Sequence, residues 1–113
     1  MEIITSITGY PKQNFILRLE NNEAVSISLY YYATQQSWYY DFEYNGYINK
    51  GNKVVLSLNA LRHLRNRIPF GIAFLSGNNA EPFGLNDFLE QKVLMILLNK
   101  EDVQAVEDSI YNV

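Results

Sequence analysis

The groups in this chain with the most chemical potential are two carboxylates, one imidazole, three arginines and a dense run of rings. Asp41 and Glu43 lie two apart in "WYYDFEYNG", so on a strand they share one face about 7 Å apart, near the spacing of glycosidase acid pairs. The competing reading is a solvated hairpin face with Lys50 across from Asp41. Charged residues on such faces are routine, and this reading is preferred. The single histidine, His63, sits in "RHLRNR" with no acid nearby, and one histidine among seven serines is no signature of a Ser-His-Asp triad. Cysteine is absent and no D-x-D-x-D pattern occurs, which leaves too few ligands for a zinc or calcium site. No two glycines are spaced as G-x-G and there is no Walker lysine motif, so no loop cradles a phosphate. The expectation is a chain without catalytic residues, metal or cofactor.

Interaction chemistry is better represented. "YYYATQQSWYYDFEYNG", residues 30–46, holds eight of the rings supplied by nine Tyr, six Phe and one Trp. Strand alternation assigns Tyr31, Trp38, Tyr40, Phe42 and Tyr44 to a core face and leaves Tyr30, Tyr32 and Tyr39 on the other. Those three are to be covered by a helix, with a protein partner next in order and a base- or sugar-stacking platform last. Arg62, Arg65 and Arg67 form a local +3, while Lys100 with Glu101, Asp102, Glu107 and Asp108 carries a net −3. Each is read first as a solvated helix face, and together they could orient a head-to-tail contact between copies. Tyr30, Tyr32, Tyr39, Arg62, Arg65 and Arg67 are therefore the candidate protein-interface residues.

The elements that position these groups are mostly strands. "FILRLE" and "AVSISLYY" alternate, and a three-residue loop, Asn21–Glu23, pairs Leu19 with Val25, Leu17 with Ile27 and Phe15 with Leu29. A strand from Ser37 or Trp38 runs into Asn45-Gly46, a type I′ hairpin signal that sets Tyr44 against Tyr47, Asp41 against Lys50 and Tyr40 against Gly51. Gly51-Asn52 reads as a bulge, after which "KVVLSL" resumes the strand. A helix follows, with Ser57 as N-cap and Leu58, Leu61 and Leu64 inward, stopping before Pro69. "FGIAFLSG" returns as a strand, "NNAEPFG" is a loop, and "LNDFLEQ" makes a turn or two of helix. "VLMILL" is apolar on both faces and reads as a central buried strand. The last helix spans Lys100 to Tyr111, capped by Asn99, with Val103, Val106 and Ile110 inward. These elements predict a mainly β (α+β) fold: an antiparallel sandwich or barrel of six to seven strands with one or two short helices.

At 113 residues with no repeat or linker, the chain reads as a single domain, 1–113. Nine Lys and Arg against twelve Asp and Glu give a net charge of −3, so no global basic field attracts a phosphate backbone and no nucleic-acid partner is expected. No signal-peptide pattern opens "MEIITSITGY", and "VLMILL" is too short to span a bilayer. The expectation is a soluble chain without a membrane partner, used in a reducing compartment.

Taken in order, Trp38, Asp41, Asn45, Gly46, Gly51, Leu58, Leu61, Leu64, Gly71, Pro82, Leu85, Asp87 and Val93 carry a resemblance to the phage tail baseplate plug proteins of cyanophage-type contractile tails. It extends over residues 15 to 98. The resemblance implies a non-enzymatic structural component of a phage or prophage tail baseplate, packed against hub, tube or spike proteins. It implies a location in the virion tail baseplate, with host cytoplasm during assembly, while self-association is a further contact that the opposed charges leave open. No catalytic or ligand residue transfers with it. The alternative from another class is a small carbohydrate- or single-stranded nucleic-acid-binding β-module using Trp38 and the three outward tyrosines.

Overall fold

The computed structural model describes residues 2–77 and 84–111, the latter without the side chains of the last two. Most of "NNAEPFG", including Pro82, lies outside the described residues, as does the side chain of Ile110. Among the described residues there are seven strands: β1 Glu2–Ile3, β2 Lys12–Arg18, β3 Ala24–Tyr32, β4 Ser37–Tyr44, β5 Tyr47–Lys53, β6 Gly71–Ser76 and β7 Val93–Leu98. They form two antiparallel sheets, ordered β2-β3-β4-β5 and β1-β7-β6. The sheets pack as a sandwich and close no barrel. Helix α1, Lys100–Val106, follows β7.

Alternation builds the core from the larger sheet. Val25, Ile27 and Leu29 of β3, with Trp38, Tyr40 and Phe42 of β4, are at most 2% exposed. They meet Ile72 and Phe74 of β6, Met95 of β7, and the connecting Phe70 and Phe88. Rings lock edge to face across the layer: Trp38 with Phe88 at 5.5 Å, Phe42 with Phe70 at 5.8 Å and Tyr44 with Phe70 at 5.4 Å. The both-faces apolarity of "VLMILL" has a direct cause. Val93, Met95 and Leu97 enter this core, whereas Ile96 and Leu98 join Ala73 and Val103 beneath α1. The helix carries a full capping box: Asn99 accepts from the Asp102 amide at 2.8 Å, and the Asp102 carboxylate accepts from the Asn99 amide at 3.1 Å. It ends at Val106 and widens into a π-type turn, Glu107–Tyr111, rather than continuing as α-helix to Tyr111.

Several expected details are corrected. The first hairpin does have a three-residue loop, but it is 20–22, so Leu17 faces Val25 and Phe15 faces Ile27. The loop's last position is left-handed, and Asn22 occupies it with φ 67°. Asparagine tolerates that conformation better than Glu23 would, and the two-residue shift keeps every side chain on its expected face. In the second hairpin the bulge lies one residue early. Asp41 opposes both Lys50 and Gly51, and Tyr40 faces Asn52. Gly51 has φ 76°, and its amide donates to Asp41 Oδ1 at 2.8 Å. "KVVLSL" does not resume the strand: after Val54 donates to Trp38 O, the chain crosses to the other sheet, where Ser57 bridges Phe74.

The expected helix from Leu58 shrinks to one 3-10 turn, Arg62–Leu64, with Leu58 left 40% exposed. The Ala60 amide is committed to Ile72 O at 2.7 Å and Asn59 Oδ1 takes the Leu61 amide, so the backbone edges β6 before a helix can nucleate. "LNDFLEQ" likewise forms consecutive turns rather than helix. One helix-like bond joins the Glu90 amide to Asn86 O, and Gln91 turns left-handed with φ 61° directly after it.

Candidate interaction surface

The outward face of the larger sheet follows from register. Lys12, Tyr30, Tyr39 and Lys53 form one row across the four strands. Asn14, Ser28 and Asp41 form the next, and Ile16, Ser26, Glu43 and Ile48 the third. Every residue in these rows is half-buried or exposed. The helix expected to cover the three tyrosines is not there: α1 packs on β7 of the other sheet, and among the described residues nothing lies over this face. Among the described residues one α-helix is available, and the doubly apolar β7 claims it.

Tyr30, Tyr32 and Tyr39 do come together. Tyr30 and Tyr39 stack with centroids 6.0 Å apart at 18°, and Tyr32 leans edge-on against Tyr30 at 5.4 Å and tilts on Tyr39 at 5.3 Å. Rings at that spacing leave no room for a base or sugar between them, so the trio spends its faces on itself and offers edges and hydroxyls. The Tyr30 hydroxyl donates to Asp41 Oδ1 at 2.9 Å, and the Tyr39 hydroxyl to Gln35 Oε1 at 2.5 Å. Burial, then the bond and charge of Asp41, push the Tyr30 phenol up to about 12. Trp38, the fourth ring of the stacking alternative, is fully buried with its indole N–H on Gly84 O at 3.1 Å.

The remaining sequence candidates separate. Asp41 accepts from Tyr30 and from the Gly51 amide, and the expected Asp41–Lys50 ion pair is absent among the described residues. Glu43 stays exposed two residues along. Arg62 and Arg65 turn to the chain's own acidic end. Arg62 Nη2 donates to Glu107 Oε2 at 3.2 Å, and its Nε lies 2.8 Å from Oε1 at an angle too bent for a hydrogen bond. Arg65 Nε is 3.6 Å from the same oxygen. Two arginines of the basic segment thus share one carboxylate of the acidic end, Glu107, while Arg67 and His63 are exposed beyond them. No group of three or more His, Asp or Glu that could hold a metal ion occurs among the described residues.

Lys12, Arg18, Lys50 and Lys53 escape a reading based on sequence clusters. They are scattered along the chain, yet the register brings Lys12, Lys50 and Lys53 to the rows beside Asp41 and Glu43 and puts Arg18 at the end of β2 on the same face, so this face is net positive on an acidic chain. Strand parity carries that signal, as it does for exposed Ile16 and Ile48, 64% and 56% accessible.

Among family models, one described as "Cyanophage baseplate Pam3 plug gp18" matches residues 1–100. No curated protein matches the chain. The sandwich just described and a match over nearly the whole chain agree with the ordered residues from Trp38 to Val93, and the chain belongs to the cyanophage baseplate Pam3 plug family.

Proposed function

We propose that the chain is a non-enzymatic structural part of a phage or prophage tail baseplate that packs against hub, tube or spike proteins through the open face around Tyr30, Tyr32 and Tyr39. The family match over residues 1–100 carries the baseplate reading. The surface reading is supported by rings and isoleucines left uncovered amid charges, a composition that suits protein contacts. Arg67 and exposed parts of Arg62 and Arg65 supply a second contact patch on the other side of the core. The chain acts in the virion tail and meets its partners in host cytoplasm during assembly.

The test is assembly of tails with a Tyr30→Ser/Tyr32→Ser/Tyr39→Ser chain that retains native circular dichroism. The expected result is loss of the chain from purified tails at least about tenfold, the effect of removing a cluster of interface hot spots. Full incorporation overturns the surface assignment. Saturable binding of a glycan or an oligonucleotide at low salt that depends on these rings favours the stacking alternative instead.

A further inference from the structure

Four strand edges could take up an additional strand, and three are closed. β1 is two residues long. The edge of β6 is occupied by Ser57, which exchanges both backbone bonds with Phe74, and by Ala60. β5 is broken by the Lys50–Gly51 bulge. β2 has none of these devices: seven extended residues without bulge or internal proline, and no described strand paired on its outer side, the turn at 8–10 being tied to the Gln13 side chain.

Its bonding pattern can be read from its flanks. Tyr31 donates to Pro11 O at 2.8 Å and Leu19 to Glu23 O at 2.9 Å, so odd-numbered residues bond β3. The N–H and C=O groups of Lys12, Asn14, Ile16 and Arg18 therefore point away from the sheet. Beneath the same edge, Phe15 and Leu17 pack against the core but remain half-buried.

We infer that β2 accepts an extended strand from another chain, with acidic residues opposite Lys12 and Arg18 and apolar residues over Phe15 and Leu17. Charge selects this occupant over a second copy. Fully overlapped antiparallel self-pairing sets Lys12 against Arg18 at both ends, and like charges directly opposed are destabilising. Backbone bonds supply affinity, and alternate side chains supply register. That the donor is a baseplate protein rests on the proposed function, whereas the acceptor edge does not.

The probe is a synthetic peptide, Glu-Val-Thr-Val-Thr-Val-Glu, with a control in which both Glu are Lys, read by amide exchange of the full chain. The acidic peptide should slow the amides of residues 12, 14, 16 and 18 by about tenfold or more at saturation and leave the already protected odd-numbered amides unchanged. Ile16→Pro removes one outward N–H without touching the β3 ladder and should abolish this. Lys12→Glu/Arg18→Glu, at exposed positions, should reverse the preference to the Lys peptide and keeps the test decisive if the proline variant fails to fold. Unchanged exchange with the acidic peptide, or equal effects of both peptides, overturns the inference. So does a concentration-dependent dimer of the chain that Ile16→Pro or the charge reversal dissolves. In purified tails, a chain that is present but whose β2 even-numbered amides exchange freely defeats the strand donor while leaving the baseplate role standing; a chain missing from tails defeats that role and leaves the peptide result to stand alone.

Discussion

The molecule has two outward sheet faces, and they are finished in opposite ways. The face of β6 and β7 is apolar and lies under α1, with Ile96, Leu98 and Ala73 at most 5% exposed. The face of β2 to β5 is a mixture of tyrosine, isoleucine, serine and charge, and nothing among the described residues lies on it. A sheet face must be either apolar and covered or polar enough to stand in water. The larger sheet's outer face is neither fully: its rings and isoleucines exceed what solvation alone calls for, and its lysines and carboxylates exceed what a core would take. That intermediate composition suits the protein contact proposed for this face.

The comparison breaks most sharply under large-to-small substitution. Leu98→Ala, beneath the helix and 1% exposed, should cost about 2–5 kcal/mol, whereas Ile48→Ala on the open face should stay within about 0.5 kcal/mol. Denaturant unfolding of the isolated chain measures both. Equal losses would mean that the open face is covered after all.

Gly71→Ala tests how closely the covered side is built. A Cβ at Gly71 would lie 2.6 Å from Asn59 Oδ1, and Asn59 is itself buried and holding the Leu61 amide. The cost should be about 1–3 kcal/mol, as for overpacking elsewhere. Gly46, by contrast, has open space around it, and its φ of 84° rather than crowding demands glycine there. A Gly71→Ala chain as stable as the native one would show that Asn59 can swing aside.

Which of these features could be read beforehand depends on how local their causes are. Strand alternation identified the buried and outward residues of β3 and β4 correctly, because a period of two survives any register that preserves parity. The double apolarity of β7 announced two covered faces, and Asn99 announced the helix that covers one. Register itself was less legible. It turned on which residue takes a left-handed conformation, Asn22 in one hairpin and Gly51 in the other, and a shift of one loop residue moved every partner by two. The segment 57–64 misled because its leucine spacing is helical while its backbone is claimed by β6, a nonlocal contact no window of sequence contains. The site divides in the same way. The tyrosine trio follows from parity, but the cationic rim of Lys12, Lys50 and Lys53 and the pairing of Arg62 with Glu107 exist only once distant segments meet.

Asn99→Ala probes the cover more gently. It removes the side-chain half of the capping box and the bond from Asn99 Nδ2 to Glu20 Oε1 at 2.8 Å, while the Asp102 carboxylate still accepts from the backbone amide of residue 99. The expected loss is about 1 kcal/mol, since α1 is held by its packing on Ile96 and Leu98 as well as by its cap. Thermal unfolding should register it, and Asn99→Ser, a neutral N-cap that puts no second carboxylate against Glu20, should restore most of it. A loss as large as that of Leu98→Ala would mean that the cap, and not the apolar contact, holds the helix.

The smallest effect separates the faces by titration. Tyr40 in the core and Tyr30 on the open face both have phenols raised to about 12, but for different reasons: burial alone for Tyr40, and burial followed by the bond and charge of Asp41 for Tyr30. In the unfolded chain both lose their protons near the ordinary tyrosine value of about 10. The folded state holds those protons longer, so the resulting stabilisation is complete below pH 10 and is lost as pH climbs from 10 toward 12. Asp41→Asn should leave stability at neutral pH changed by no more than about 1 kcal/mol, because an amide oxygen can still accept from Tyr30 and from the Gly51 amide. It removes the negative charge, however, so Tyr30 should ionise at lower pH while Tyr40 does not move. Ultraviolet phenolate absorbance can follow both, with Tyr30→Phe and Tyr40→Phe chains assigning the steps. If Asp41→Asn leaves the Tyr30 step in place, burial alone sets it and the open face is drier than its register implies; if the Tyr40 step moves too, the two faces are coupled through β4 rather than independent.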